Sequence, residues 1–380
     1  MNKKTFGFYE FFAGGGMARA GLGDRWQCLF ANDFDPAKAE SYRRNWGGEH
    51  LKVKDIAEVE LGELPGEADL AWASFPCQDL SLAGNGGGLK SKRSGSFWPF
   101  RDLMEGLARE GRGPRLIVLE NVVGAISSHG GKDFSALVSA LVEIGYDVGA
   151  LVINAAHFVP QSRPRLFIVA ARSDLVLPKS VVDNGPNSLW HPSSLLKAGQ
   201  ALPRSIARRW IWWRLPEPPG RKLDFIDIIE DEPDDVAWKS EKETEKLLAL
   251  MSDINRRKVE QAQATGRRMV GGVYRRTRNG KLRAEVRFDN LSGCLRTPSG
   301  GSSRQLLLIV EGDRVRSRLL SAREAARLMG LDDDYRLPDN YNAAYHLAGD
   351  GVVAPVVAHL SGFLLTPLLE ENSGERKRVA

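Results

Sequence analysis

Near its N-terminus the chain reads Phe6-Gly7-Phe8-Tyr9-Glu10-Phe11-Phe12-Ala13-Gly14-Gly15-Gly16. The apolar run Phe6–Phe12 predicts a short buried strand, and we expect a helix directly after the glycines. Glycines at a strand–helix turn let backbone amides approach a ligand at the carboxyl end of the strand. Such turns serve many nucleotide-like ligands, and some are only tight turns. The stretch therefore indicates a fold class without identifying a ligand.

Strand and helix patterns alternate over the first part of the chain. Amphipathic segments such as Pro36–Trp46 and Phe97–Arg109 lie between short apolar runs. The further runs expected to form buried strands are Cys28–Ala31, Leu70–Ser74, Leu116–Leu119, Val148–Asn154 and Arg165–Ala171. This order predicts an α/β fold with a mostly parallel, Rossmann-like sheet and helices on both faces. The last two runs are expected to close the sheet as a late pair.

The pattern changes after Arg172. Residues 173–312 are rich in Pro, Trp, Arg and Asp, with one charged helix expected over Glu241–Val259. Regular structure is expected to resume at the capping box Ser321-Ala322-Arg323-Glu324. We therefore predict a large domain of residues 1–172, completed by residues 338–380. A smaller, irregular domain would comprise residues 173–337, with Trp210, Trp212 and Trp213 in its core.

Composition limits the class of protein. The 380 residues carry a net charge of +5, a weak indication of an anionic partner. A basic cluster, which could also be only a solvated hairpin, consists of Arg267, Arg268, Arg275, Arg276, Arg278, Lys281, Arg283 and Arg287. Three scattered cysteines are too few for a disulfide framework or a zinc site, so we expect no metal and a reducing, cytoplasmic setting. We find no signal peptide and expect no membrane association, because no apolar stretch approaches about 18 uncharged residues.

Acidic residues follow the second and third predicted strands. Asn32-Asp33-Phe34-Asp35 ends the second strand, and Lys54-Asp55-Ile56 follows the third. An acidic residue at the end of the second strand typically accepts hydrogen bonds from ribose hydroxyls, and Asp55 could accept from an adenine amino group. Together with the glycine turn, these acids predict a site for an adenosyl cofactor. A dinucleotide and S-adenosylmethionine both remain open at this point.

The fourth predicted strand leads into Ser74-Phe75-Pro76-Cys77-Gln78-Asp79-Leu80-Ser81. The proline and the polar run favour an exposed loop for Cys77, whereas Cys28 and Cys294 fit the commoner pattern of small buried side chains. Glu120-Asn121-Val122 ends the next strand, and Gln161-Ser162-Arg163-Pro164-Arg165 lies between the late pair.

In this order, these motifs resemble the cytosine-5 DNA methyltransferase family. The resemblance rests on Pro76-Cys77-Gln78, Glu120-Asn121-Val122 and Gln161-x-Arg163-x-Arg165 after Phe12-x-Gly14-x-Gly16, and it extends over Arg318–Leu328. It covers roughly the first 170 residues and the last 65 and leaves the middle unmatched. Two departures are Met17, where a second glycine is usual, and Asp350, where asparagine is usual.

The resemblance implies methyl transfer from S-adenosylmethionine to carbon 5 of a flipped-out cytosine, leaving S-adenosylhomocysteine. It also implies that residues 1–172 and 338–380 form the catalytic and cofactor-binding domain, and residues 173–337 the target-recognition domain. Cys77 would be the nucleophile that adds at carbon 6, and Glu120 the acid at ring nitrogen 3. Arg165 would bond the ring's O2 and orient Glu120, and Arg163 would favour the thiolate. The residues expected to contact the cofactor are Phe12, Ala13, Gly14, Gly15, Gly16, Asp33, Phe34, Asp55, Ile56, Pro76, Asp350 and Val352.

The implied partner is double-stranded DNA, bound by a monomer in the bacterial cytoplasm or nucleoid. A cognate restriction endonuclease would act separately in a restriction-modification system, and a solitary regulatory role is the alternative. The residues expected to contact DNA are Gln78, Ser81, Lys90, Lys92, Arg93, Gln161, Arg296, Ser302 and Arg304. Gln305 is a further residue that could reach base edges.

Three other functions remain under consideration. A tRNA cytosine-5 methyltransferase would use the same chemistry, but we do not find the Cys-Phe-Thr tripeptide usual in the RNA-directed branch. A catalytically inactive DNA-binding relative is disfavoured because Cys77, Glu120 and Arg165 are all present. A nicotinamide dehydrogenase would not need the Pro-Cys-Gln loop.

Overall fold

The computed structural model describes residues 5–75, 94–278, 280–296 and 304–373. The predicted site residues that lie outside the described residues are Pro76, Cys77, Gln78, Ser81, Lys90, Lys92, Arg93 and Ser302. The chain forms two compact units. The large unit comprises Met1–Asn154, Pro164–Pro218 and Ala354–Ala380, and the small unit comprises Ala155–Arg163 and Pro219–Val353.

Seven strands form the sheet of the large unit. They are β1 (Phe6–Phe11), β2 (Trp26–Asp33), β3 (Leu51–Val53), β4 (Leu70–Ala73), β5 (Leu116–Val122), β6 (Tyr146–Asn154) and β7 (Pro164–Arg172). The strand order is β3-β2-β1-β4-β5-β7-β6, and β7 runs in the direction opposite to the other six strands. The predicted α/β fold with a mostly parallel sheet is confirmed, including the late strand pair.

The helices flank this sheet and form part of the small unit. In chain order they are α1 (Met17–Leu22), α2 (Pro36–Trp46), α3 (Phe97–Arg109), α4 (Lys132–Glu143), α5 (Ser193–Gln200), α6 (Arg204–Ala207), α7 (Glu241–Ala249), α8 (Asp253–Ala264), α9 (Ala322–Leu328), α10 (Tyr341–Asp350), α11 (Ala354–Leu360) and α12 (Thr366–Glu371). Helix α2 shows why its bounds follow from sequence. Asp35 caps it by accepting from the backbone N–H groups of Ala37 and Lys38, with Pro36 at the first turn.

The core of the large unit explains why its strands read as continuous apolar runs. Helices cover both faces of a parallel sheet, so side chains on both faces are buried. Phe11 of β1 packs edge-on against Phe100 of α3, with ring centroids 5.1 Å apart, and both side chains are fully buried. Each such side chain contributes about 1.5–3 kcal/mol by leaving water. This packing fixes the strand ends that carry the predicted site.

The small unit contains a regular antiparallel sheet, although the sequence predicted an irregular domain. Its strands are β10 (Arg268–Arg278), β11 (Lys281–Arg287), β12 (Leu306–Glu311) and β13 (Arg314–Leu319), in the order β11-β10-β12-β13. A further short pair, β8 (Val182–Asp183) and β9 (Trp212–Trp213), belongs to the large unit. The prediction of one continuous helix over Glu241–Val259 was wrong, because this range contains all of α7 and part of α8. Helices α7 and α8 are separate because Ser252 between them has an extended backbone, with φ of -72° and ψ of 163°. The carbonyl of Leu250, just after α7, accepts from the backbone N–H of Ala284 at 3.0 Å.

The compact units do not have the predicted boundaries. Residues 173–218 group with the large unit, where the Trp213 indole donates to the carbonyl of Val169 (3.0 Å) and Val152 donates to the carbonyl of Trp190 (2.8 Å). The three tryptophans predicted for the small core therefore belong to the large unit. Residues 155–163 and 338–353 group instead with the small unit. The catalytic and target-recognition roles of the units stay predictions.

Among the described residues, one stretch, Tyr341–Glu371, which contains α10, α11 and α12, is long and apolar enough to cross a membrane by length and composition. The expectation that no stretch approaches this length was therefore wrong. Of its most apolar window, 72% is buried inside the protein. Burial of this extent is also found in core helices of water-soluble proteins, so the run is weak evidence for a membrane span.

Candidate active site

The glycine turn after β1 adopts a backbone that its sequence makes possible. Phe12, Gly14 and Gly16 all have positive φ, at 58°, 55° and 77°. Glycine adopts this region without steric cost, whereas Phe12 does so as an uncommon exception. The backbone N–H of Ala13 donates to the carbonyl of Asn32 at 2.9 Å, which ties the turn to the end of β2.

Gly16 is also required by its neighbours. A Cβ at this position would lie 2.7 Å from Cδ1 of Trp46 and 3.0 Å from Cε2 of Tyr42. The Trp46 indole N–H in turn donates to the carbonyl of Gly15, at 2.9 Å. Helix α2 therefore supports the turn from behind, a role for Trp46 that the sequence analysis missed.

Asp33 lies beside the glycine turn, as predicted for the end of β2. Its Oδ2 accepts from the backbone N–H of Gly14 (2.8 Å) and its Oδ1 from that of Asp35 (2.9 Å). Burial is the main cause that raises the pKa of this carboxyl. The next side chain, Phe34, is 66% exposed. The end of β2 thus combines a hydrogen-bond acceptor with an exposed aromatic face.

The end of β3 carries the second predicted acid. Asp55 is exposed and caps a short 3-10 helix by accepting from the backbone N–H of Ala57, at 2.9 Å. Ile56, in contrast, is buried. The Asn32 amide donates to the carbonyls of Lys52 (3.2 Å) and Lys54 (2.9 Å), and so holds the ends of β2 and β3 together.

Glu10 is a buried acid under the glycine turn that the sequence analysis did not assign. It accepts from the backbone N–H of Arg19 (3.2 Å) and from the Tyr42 hydroxyl (3.4 Å). Burial raises its pKa to about 8. The available signal was a carboxylate within an otherwise apolar strand, which costs free energy unless it is protonated or hydrogen-bonded.

Glu120 and Arg165, to which the resemblance gives linked roles, lie close to each other. Strands β5 and β7 are antiparallel neighbours in which Val122 lies opposite Arg165 and Glu120 opposite Phe167. The two charged side chains are therefore diagonal neighbours on one face of the sheet. Arg165 Nε lies 3.3 Å from Glu120 Oε1, and both side chains are largely shielded from water.

Asn121 connects this pair to the segment that leads to Cys77. Its side-chain amide donates to the carbonyl of Phe75 at 3.4 Å, and its Oδ1 accepts from the backbone N–H of Val122. Asn121 and Phe75 are both buried. The Glu-Asn-Val motif therefore fixes the backbone two residues before Cys77, which itself lies outside the described residues.

Arg163 belongs to the small unit and is 2% exposed. Its Nη2 donates to the carbonyls of Gly349 (2.8 Å) and Gly351 (2.9 Å), and its Nη1 to that of Leu295 (3.2 Å). Asp350, between these two glycines, is exposed at the end of α10. Val352, which follows Gly351, is buried. The sequence analysis placed Arg163 beside the thiolate of Cys77, which lies outside the described residues, so that placement stays a prediction. Besides these carbonyls, Arg163 Nη1 also donates to Cys294 Sγ, at 3.4 Å.

The predicted DNA contacts differ in exposure. Arg296 is exposed, and Arg304 lies over the Tyr341 ring at 5.6 Å. Gln161, however, has 0% exposure and donates to the carbonyl of Leu328 at 2.7 Å. Gln305 is also buried, and its amide donates to the carbonyl of Val273 at 3.1 Å. The positions of Gln161 and Gln305 are those of structural residues, because their amides satisfy buried backbone groups.

The basic cluster lies largely on the β10–β11 hairpin. Arg276 lies directly opposite Arg283, and both side chains are exposed. Arg268, in contrast, pairs with Asp231 at 2.6 Å. Like charges placed directly opposite each other destabilise a strand pair. An anion bound against both guanidinium groups would offset this repulsion.

Within the ranges that the structure describes, no group of three or more His, Cys, Asp or Glu side chains is arranged to hold a metal ion.

Comparison with known proteins identifies the family. The sequence profile described as C-5 cytosine-specific DNA methylase matches residues 6–364. The chain belongs to this family. Type II methyltransferase M.NlaX of Neisseria lactamica is 25% identical over 356 residues, which cover 93% of this chain and 94% of that protein. M.HhaI of Haemophilus parahaemolyticus is 24% identical over 361 residues, which cover 93% and 92%. The protein is accordingly a DNA (cytosine-5-)-methyltransferase.

Solved structures agree on the fold. Dnmt2 methyltransferase of S. pombe superposes with a TM-score of 0.61 at 17% identity, covering 96% of this chain and 99% of that one. The Entamoeba histolytica methyltransferase EhMeth gives a TM-score of 0.63 at 14% identity, with the same coverage. At these identities the likeness supports the methyltransferase fold alone.

Proposed function

We propose that this enzyme transfers the methyl group of S-adenosylmethionine to carbon 5 of a cytosine flipped out of double-stranded DNA. The observation that carries the proposal is the Glu120–Arg165 pair, at 3.3 Å, next to Asn121. Asn121 holds the carbonyl of Phe75, two residues before Cys77 in the sequence. An acid, an arginine and a thiol from neighbouring strand ends are the groups that covalent catalysis on a pyrimidine needs.

The residues at the ends of β1–β3 fit S-adenosylmethionine. The exposed Phe34 ring supplies an apolar face for adenine, and Asp33 beside it supplies acceptor oxygens for ribose. The glycine turn, Asp55 and Ile56 would complete the binding site in the large unit, while Pro76, Asp350 and Val352 remain predicted contacts. When bound, the cofactor supplies an electrophilic methyl group on a sulfonium centre.

The protein's own groups make carbon 5 of the target nucleophilic. The Cys77 thiolate forms a bond to carbon 6 while Glu120 donates a proton to ring nitrogen 3. Arg165 bonds the ring's O2 and holds Glu120 in place. Carbon 5 then accepts the methyl group and loses its proton to a base, which we expect to be water. The carbon 6–sulfur bond breaks last: Cys77 leaves with its electron pair, and ring nitrogen 3 returns its proton to Glu120.

The target cytosine must first leave the base stack, which costs a few kcal/mol. Phosphate contacts from exposed cations supply part of the binding free energy that offsets this cost. In the small unit, Arg296 and the Arg276–Arg283 pair are suited to that role by exposure and charge. Lys90, Lys92 and Arg93 remain predicted contacts of the same kind.

A duplex with 5-fluorocytosine at the target position tests the covalent step. Fluorine at carbon 5 cannot be removed as a proton, so the Cys77 adduct should persist on a denaturing gel. We expect an adduct with the wild type and none with Cys77→Ser. A protein that binds the duplex without any adduct would be an inactive relative, and full methylation by Cys77→Ser would contradict the proposed nucleophile.

Substrate class and sequence context need separate assays. Labelled cofactor should transfer methyl groups to duplex DNA, and incorporation only into tRNA would contradict the proposal. Bisulfite sequencing of DNA from a host expressing the protein should identify the methylated sequence. We expect a monomer in the bacterial cytoplasm or nucleoid, with any cognate restriction endonuclease acting separately.

A further inference from the structure

We propose that Gln161 and Arg163 form a clamp that couples DNA recognition to cofactor binding, with Arg163 as a positioning residue. The clamp joins the recognition segment, residues 292–296, to the cofactor turn, Gly349-Asp350-Gly351. Both segments lie in the small unit together with the clamp. The inference rests on the proposed function, which assigns Arg296 to DNA and Asp350 to the cofactor.

The clamp binds the recognition segment through both backbone polar groups of Leu295, its N–H and its carbonyl. Gln161 Oε1 accepts from the backbone N–H of Leu295 (3.1 Å), and Arg163 Nη1 donates to the carbonyl of the same residue (3.2 Å). The backbone N–H of Ser162 donates to the carbonyl of Ser292, at 2.8 Å. The next residue after Leu295 is the exposed Arg296. If a bound phosphate displaces Arg296, the neighbouring Leu295 should move with it and alter its hydrogen bonds to Gln161 and Arg163.

The other nitrogen of the same guanidinium holds the cofactor turn. Arg163 Nη2 donates to the carbonyls of Gly349 (2.8 Å) and Gly351 (2.9 Å), which flank Asp350. A planar guanidinium presents several donors in a fixed geometry, whereas a lysine ammonium is a single compact group on a flexible stem. One rigid side chain thus links the two segments, and lysine cannot reproduce both sets of bonds.

Because the groups in the clamp are buried, losing one of their hydrogen bonds would lower the stability of the folded state. Arg163 is 2% exposed, Leu295 is 2% exposed and Gln161 is 0% exposed. A buried carbonyl that loses its donor costs free energy, so a displacement at Leu295 should be transmitted through Arg163. A coupling between two ligands is reciprocal, so DNA should tighten cofactor binding by the factor with which the cofactor tightens DNA binding.

Arg163→Lys tests the clamp through a ratio of affinities. Calorimetry would measure the Kd of S-adenosylhomocysteine with and without a duplex that carries the methylated sequence. We expect the duplex to tighten binding to the wild type by about 5-fold or more, and to Arg163→Lys by less than about 2-fold. A general loss of stability would weaken both affinities together and leave their ratio unchanged.

Arg323→Lys is the matched control. Arg323 also lies in the small unit and donates to two backbone carbonyls, those of Asp332 (3.2 Å) and Tyr335 (2.9 Å). Neither carbonyl belongs to the recognition segment or the cofactor turn, so this variant should keep the wild-type ratio. A wild-type ratio in Arg163→Lys would overturn the clamp, as would a ratio near one in the wild type.

Hydrogen exchange on the wild type needs no variant and covers the case in which Arg163→Lys fails to fold. S-adenosylhomocysteine should slow exchange of the Leu295 N–H, and the duplex should slow exchange in residues 349–353. No effect at either segment would overturn the inference. If the wild type methylates DNA but shows no coupling, only the clamp fails. If it does not methylate DNA, the proposed function itself fails.

Discussion

Gly16 illustrates how a single residue decides whether the cofactor turn can form. Its φ of +77° and its closeness to Trp46 and Tyr42 both exclude a side chain. Gly16→Ala should therefore lose more than the roughly 1–2 kcal/mol of left-handed strain alone, because overpacking adds about 1–3 kcal/mol. We also expect affinity for S-adenosylhomocysteine to fall about tenfold or more. Chemical denaturation and calorimetry measure the two effects.

Gly111→Ala provides the control for this substitution. Gly111 has a φ of +75°, and a Cβ there would meet no atom within 4 Å. The variant should show the cost of backbone strain, about 1–2 kcal/mol, with unchanged ligand affinity. Equal losses of stability and affinity in the two variants would contradict a specific role of the Trp46 contact.

Replacing Glu120 should slow methyl transfer without weakening the binding of the cofactor product. Glu120→Gln retains size and hydrogen-bonding capacity but cannot donate a proton to the ring. We expect the single-turnover rate of methyl transfer to fall about 10²- to 10⁴-fold, the usual contribution of a general acid. The Kd of S-adenosylhomocysteine should change little.

Glu105→Gln is the comparison for Glu120→Gln. Glu105 on α3 also pairs with an arginine, Arg101, at 2.6 Å, but it has no place in the proposed chemistry. This variant should methylate DNA at the wild-type rate. A rate for Glu120→Gln close to that of Glu105→Gln would exclude Glu120 as the acid.

At the scale of elements, we expect the arginines of the β10–β11 hairpin to lower the stability of the fold and to raise its affinity for DNA. Arg276 and Arg283 lie directly opposite each other, so replacing both by Gln removes a repulsion. We expect Tm to stay the same or rise while affinity for duplex DNA falls. If each arginine contacts one phosphate, the slope of log Kobs against log salt should become less steep by up to about 2. Fluorescence anisotropy at several salt concentrations measures this slope.

Arg268→Gln tests whether any loss of positive charge on β10 has the same effect. The Arg268 guanidinium pairs with Asp231 at 2.6 Å, so its charge is largely compensated within the protein. The salt slope should therefore stay close to that of the wild type. An unchanged slope in the Arg276/Arg283 double variant would show that this hairpin does not contact phosphates.

At the scale of the whole molecule, the sequence predicted what local patterns encode. The α/β fold and the late strand pair could be predicted from apolar runs and their spacing. The motifs also named Glu120 and Arg165, whose side chains lie 3.3 Å apart. The boundaries of the units did not follow, because they depend on contacts such as Trp213 with Val169 that no local pattern encodes. The β12–β13 hairpin was missed for a different reason, because the apolar run Leu306–Val310 does indicate a strand and the sequence analysis did not use it.

The contacts of Arg163 could not be predicted for a related reason. Its motif indicated a functional residue, but its partners at Leu295, Gly349 and Gly351 lie more than a hundred residues away in sequence. Family resemblance carries a role across by position, whereas hydrogen-bond partners depend on how distant segments pack. The motif therefore located the residue and gave no information on what it holds.

Glu10 makes the stability of the whole molecule depend on pH. An unfolded glutamate releases its proton near pH 4.5, whereas burial raises the pKa of Glu10 in the folded protein to about 8. Between these values the folded state binds more protons than the unfolded state, so this group's contribution to stability falls as pH rises. Glu10→Gln cannot ionise and should lack this loss. Relative to wild type, its free energy of unfolding should rise from pH 5 to pH 8 by at least about 1.4 kcal/mol, the equivalent of one pKa unit. Urea denaturation at both pH values measures it, with the exposed Glu143→Gln as control, and a difference independent of pH would contradict a protonated Glu10.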